Sequence, residues 1–145
     1  MAKKSTLNPG IILVISFVVL FAVNSLVVYL SSLWFSNHVV LGTFTITPVW
    51  ALIHAMGTLS LINTFAIPFL NQYEADRGKK LSSTEWMLAY FIVNFAGIWL
   101  ITRFADQLGF GISSWVVAVV LAAVLDIFQG MAMMSLERKR TRSYS

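Results

Sequence analysis

Four long apolar runs, nearly free of charge, constrain this chain more than any other feature. A helix that crosses a lipid bilayer needs about 20 consecutive, mostly apolar residues. Residues 10–35 carry no charge, nor do 49–70 or the apolar part of the third run, which starts at Trp86. Residues 113–134 carry one acid, Asp126. Inside lipid every backbone polar group must be satisfied within its own segment, so these runs are expected to be helices. The alternating segments of about 10 residues that mark a membrane barrel are absent. The expected fold is all-α: one membrane domain over 1–145, with spans at about 10–35, 49–70, 86–104 and 113–134, a cytoplasmic loop at 71–85 and a basic cytoplasmic tail at 135–145. The first run is longer than the roughly 7–15 apolar residues of a signal peptide, and no small-x-small cleavage site follows it, so it is expected to persist as a helix.

Composition narrows the function classes. The chain is 58% hydrophobic and 11% charged, against about 45–50% and 25% in a soluble domain. A water-soluble globule, a disordered chain and a nucleic-acid-binding domain are all excluded, since the net charge of +4 sits at the edges of apolar runs. With no cysteine, disulfides, thiolate zinc sites and thiol chemistry are excluded too. No nucleophile–base pair, glycine-rich phosphate loop, paired catalytic carboxylates or metal-ligand spacing is present, so no enzyme activity, cofactor or metal is expected.

Local chemistry marks the helix starts. Pro9 and Gly10 precede the first span. Thr47-Pro48 supplies an N-cap and a first-turn proline for the second, and Ser82-x-x-Glu85 forms a capping box before the third. Ser113 or Ser114 can cap the fourth. Pro68 removes one helical donor near the end of the second span. Basic residues near helix ends set orientation. Lys3, Lys4, Arg77, Lys79, Lys80, Arg138, Lys139, Arg140 and Arg142 fall on one side, and of the 10 Lys and Arg only Arg103 falls on the other. Both termini are therefore expected to be cytoplasmic, in the bacterial inner membrane. Trp34, Trp50 and Trp115 then lie near the outer ends, and Tyr73 and Trp86 near the inner ends, where amphipathic rings sit at headgroup level.

Two stretches resemble each other. Phe44-Thr-Ile46-Thr-Pro48 leads into the second span and Phe110-Gly-Ile112-Ser-Ser114 into the fourth, 66 residues on. The same offset pairs Ser60 with Asp126 and Asn63 with Gln129, while an offset of 70 pairs Asn24 with Asn94. This predicts an internal duplication: two tandem helical hairpins related by a pseudo-two-fold axis along the membrane normal. The paired motifs, Thr43-Phe44-Thr-Ile46-Thr-Pro48-Val-Trp50 and Gly109-Phe110-Gly-Ile112-Ser-Ser114-Trp115, are similar to those of the small four-helix proteins of the phage holin family, superfamily IV. Asn63-Thr-Phe-Ala-Ile67-Pro68 matches that family's end of helix two except that Ile67 stands where Arg is usual, and Val93-Asn94 matches its helix three. The resemblance covers about 15–134 and implies a four-helix membrane fold.

Polar residues inside the spans are the candidate site. Asp126 lies about 18–20 Å along the helix from both Ser113 and Arg138, near mid-membrane. An ionised acid there costs on the order of 2.5–3.5 kcal/mol, so it should face the bundle interior, a wet cavity or a partner subunit, or carry a proton. Val119, Ala122, Ala123, Asp126, Gln129, Gly130 and Met133 share one helical face, as do Ile53, Met56, Gly57, Ser60, Asn63 and Thr64 on the second span. Small residues allow close approach and polar ones bond across helices. Spans two and four are therefore expected to pack on each other through these stripes, with Asn24 and Asn94 joining at similar depth. The cluster Asp126, Gln129, Asn63, Ser60, Asn24 and Asn94 is either interhelical glue or, through Asp126, an ion-handling centre. His54 is expected at the membrane interface. His38 lies in the outer loop, and Arg103 and Asp106 are spaced to form a surface pair. Arg138, Lys139, Arg140 and Arg142 are candidate contacts for anionic lipid headgroups. Two functions fit: a structural or accessory membrane protein working with the bilayer and a homo-oligomer or larger complex, or a holin-like pore or small carrier acting as an oligomer.

Overall fold

The computed structural model describes the backbone of residues 8–142 and the side chains of residues 8–135. Four of its helices are long and apolar enough to cross a membrane. Helix α1 (Pro9–Trp34) starts where Asn8 accepts from the Gly10 N–H at 3.0 Å, with Pro9 in the first turn. Helix α2 (Pro48–Arg77) is capped by Thr47, whose hydroxyl accepts from Trp50 N–H at 3.4 Å. It continues through Pro68 and seven residues beyond the expected end at 70, stopping only at Gly78, which takes a left-handed φ of 68°. The expected loop at 71–85 is thus helical as far as Arg77, because 71–77 contain no breaker and Gln72 donates to Asp76 at 2.9 Å, one turn on.

Helix α3 (Ser83–Arg103) opens with the capping box: Glu85 N–H donates to Ser82 Oγ (3.2 Å) and Ser82 N–H to Glu85 Oε2 (3.1 Å). A single turn, α4 (Ala105–Leu108), ends at Gly109 with φ 77°. Helix α5 (Trp115–Arg142) extends past the expected end at 134 into the segment assigned to the tail. The side chains of Arg138, Lys139, Arg140 and Arg142 lie outside the described residues, as do Lys3 and Lys4.

The long helices close into a ring. α1 packs on α2 and α5, and α3 packs on α2 and α5. Spans two and four, α2 and α5, therefore stand diagonally rather than face to face, contrary to the sequence expectation. Their small faces point at the bundle centre, where each also meets α1 and α3. Gly97 shows how close α2 and α3 come: an added Cβ would lie 2.7 Å from Leu59 Cδ1. Leu20, Val28, Met56, Leu59, Ile98, Ile101 and Leu125 are fully buried between the helices.

Two three-residue strands tie the hairpins together at one end. β1 (Val39–Leu41) pairs antiparallel with β2 (Phe110–Ile112) in the register Val39↔Ile112, Val40↔Gly111, Leu41↔Phe110. Gly42 N–H donates to Gly109 O (2.7 Å) and Ser113 N–H to His38 O (3.0 Å), extending the ladder at both ends. Phe110 is fully buried beneath this ribbon, whereas Phe44, its counterpart in the sequence repeat, is fully exposed. The similar motifs therefore have different surroundings.

Candidate functional site

Each long helix contributes one amide to a single buried network. Asn24 of α1 donates to Ser60 Oγ and to Asn63 Oδ1 of α2, both at 3.0 Å. Asn63 donates to Asn94 Oδ1 of α3 at 2.8 Å, and Asn94 donates to Gln129 Oε1 of α5 at 2.9 Å. Gln129 Nε2 closes the ring by donating to Asn24 Oδ1 at 2.6 Å, with longer contacts to Asn63 Oδ1 (3.2 Å) and Asn94 Oδ1 (3.3 Å). Asn24, Asn63, Asn94 and Ser60 have no solvent exposure and Gln129 only 2%.

The ring is closed. Every one of its four carbonyl oxygens accepts at least one N–H, and every amide nitrogen donates. A buried polar group left unpaired costs far more than a paired one returns, so a membrane interior favours this closure. Thr64 adds a satisfied hydroxyl, donating to Ser60 O at 2.7 Å. Gln129 has the longest side chain of the four, and it is what carries α5 across the diagonal to α2.

Five of the six residues singled out in the sequence meet here. Asp126 does not join them. It is 8% exposed, lies one turn before Gln129, and receives no hydrogen bond among the described residues.

The other candidates are dispersed. His54 is exposed on α2 and stacks on Trp50, ring centroids 5.7 Å apart. His38 Nδ1 lies 3.0 Å from Ser113 Oγ, linking the two hairpin loops. Arg103 does not pair with Asp106; its guanidinium sits 4.2 Å over the Trp99 ring, a cation–π contact. At the opposite end Glu74 accepts from Leu81 N–H (3.1 Å) and Trp86 Nε1 (3.0 Å), clamping the 78–82 turn. Sequence reasoning missed this staple, because its partners are 7 and 12 residues apart with no helical phase between them. The chain matches no family model, no curated protein and no solved structure.

Proposed function

We propose that this chain is a non-enzymatic structural or accessory protein of the bacterial inner membrane, crossing it four times with both termini in the cytoplasm. The observation that carries the reading is the closed amide ring. A conducting or transporting path through one bundle would have to pass the point where four buried amides, one from each long helix, are hydrogen-bonded to one another. A ring of this kind fixes the relative depth of four helices, which is a structural task. The orientation is supported by the basic residues bracketing the ends of α2 and α3. The tandem-hairpin origin is supported by the ring itself, in which Asn24 and Asn94 occupy one diagonal and Asn63 and Gln129 the other.

A second reading rests on Asp126, an intramembrane acid outside the ring with no hydrogen-bonding partner among the described residues. Together with the likeness to holins, it favours an ion path between copies of the chain. Purified protein in phosphatidylethanolamine–phosphatidylglycerol vesicles, with a valinomycin-set potential followed by a voltage-sensitive dye, separates the readings. The structural reading expects the potential to decay as in protein-free vesicles. Faster decay overturns it, and loss of that decay in Asp126→Asn would assign the path to the acid. For orientation, Arg77→Cys and Arg140→Cys should both be labelled from the cytoplasmic side only; labelling from opposite sides would refute the topology.

A further inference from the structure

The seam between α1 and α5 holds a cavity of about 920 Å³. It is the one contact between neighbouring long helices that are not consecutive spans of the chain. Val23, Val27 and Leu30 form one wall, and Val117, Val124 and Met131 the other. Among the described residues, none that lines it carries a formal charge. Its polar lining is uneven: Ser31, His38, Ser113 and Ser114 gather at the end that carries β1 and β2, and Ser135 alone lies at the opposite end. Trp34, 73% exposed, flanks the polar end. The α1 wall from Val23 to Trp34 rises about 16 Å, close to half of the roughly 30 Å hydrocarbon core, which is the depth of one leaflet.

We infer that this groove is a binding site for a phospholipid of the leaflet at the ribbon end, with acyl chain between α1 and α5 and phosphodiester at His38, Ser113 and Ser114. Both walls match an acyl chain in polarity, and the α1 wall matches it in length, while the α5 wall runs on to Ser135. The polar end matches a headgroup held by hydrogen bonds rather than by ion pairing. Hydroxyl and imidazole N–H groups donate to phosphate oxygens, and the second ring nitrogen of His38 has no partner among the described residues. The groove opens sideways between lipid-facing residues, Leu26 (60% exposed) on one rim and Val120 (55%) on the other, so a lipid enters without crossing the interface. A hydrophilic ligand would find four hydroxyl or imidazole groups at one end and an apolar wall elsewhere. The inference needs only that the helices lie in lipid and is independent of whether the bundle conducts.

The test uses the full chain in phosphatidylethanolamine–phosphatidylglycerol vesicles doped with phosphatidylethanolamine bearing a photoreactive acyl chain, with crosslinks mapped by peptide mass spectrometry. Crosslinks should concentrate on 23–34 and 114–131 over the lipid face of α2. Val124→Trp, which fills the groove, should lower them on the order of tenfold, while Leu61→Trp on the exposed face of α2 should leave them unchanged. The double variant His38→Ala, Ser113→Ala leaves the apolar walls intact and should reduce retention of the lipid through detergent exchange, read by native mass spectrometry. Even labelling of all apolar faces, or undiminished labelling in Val124→Trp together with undiminished retention in the double variant, would reduce the groove to ordinary lipid contact. Lipid-free dimers in the native mass spectra that Val124→Trp dissociates would give the groove to a second copy instead.

Discussion

Asn63 touches every other amide of the ring: it donates to Asn94 and accepts from both Asn24 and Gln129. Interhelical hydrogen bonds in membranes average only about 0.6 kcal/mol, so the ring's importance lies in what removal leaves behind. Asn63→Ala leaves Asn94 Oδ1 with only its long 3.3 Å contact to Gln129 and takes an acceptor from Asn24 and Gln129 where no water can replace it. The expected loss is about 1–3 kcal/mol, measured by unfolding in mixed detergent micelles. Asp126→Asn, which touches no hydrogen bond of the ring, should stay within about 0.5 kcal/mol of the parent chain. A larger effect of Asp126→Asn than of Asn63→Ala would invert the roles assigned to the two residues. The polar members of the site were legible in the sequence, because a lone Asn or Gln in an apolar span has to find a partner. Their circuit was not legible, since helical periodicity says which face a residue occupies and not which neighbour that face meets.

At the level of elements, the ends of the helices do as much as their faces. Capping chemistry made the starts of α2 and α3 legible, because Thr47-Pro48 and Ser82-x-x-Glu85 act within one turn. The far ends of α2 and α5 were misplaced because hydropathy reports where lipid ends, and a helix continues into water until a breaker stops it. The ribbon was invisible for another reason: strands of three residues are too short to show alternation. Gly109 sits at its hinge, in a left-handed conformation, where an added Cβ would lie 2.5 Å from Ala51 Cβ. Gly78 has a similar φ of 68° but open space around it. Gly78→Ala should therefore cost only the conformational penalty, about 1–2 kcal/mol. Gly109→Ala should cost more, because a steric clash against α2 is added to the same penalty. Thermal unfolding of the two variants side by side checks the order, and equal losses would mean that the loop shifts freely over Ala51.

For the whole molecule, four spans joined by short connections leave one seam uncovalent, that between the first and last helices. The structure manages it from two directions. The amide ring draws α1 and α5 together at depth through Gln129 and Asn24, and the ribbon ties the hairpins together at one end. Between these two fastenings the groove stays open, so the seam is pinned rather than sealed along its length. This arrangement also decides which helices are neighbours, which the matching small faces of α2 and α5 had suggested wrongly. Because the chain has no cysteine, pairs of introduced cysteines read the arrangement cleanly. Val27→Cys with Val117→Cys spans the α1–α5 seam and should crosslink with a short bifunctional reagent in intact membranes. Ile53→Cys with Val119→Cys spans the diagonal between α2 and α5 and should not, since Ile53, 41% exposed, faces away from the bundle centre. Efficient crosslinking of the diagonal pair with none across the seam would exchange the positions of α1 and α2 around the ring, and the groove and the closure of the amide circuit would both have to be abandoned with it.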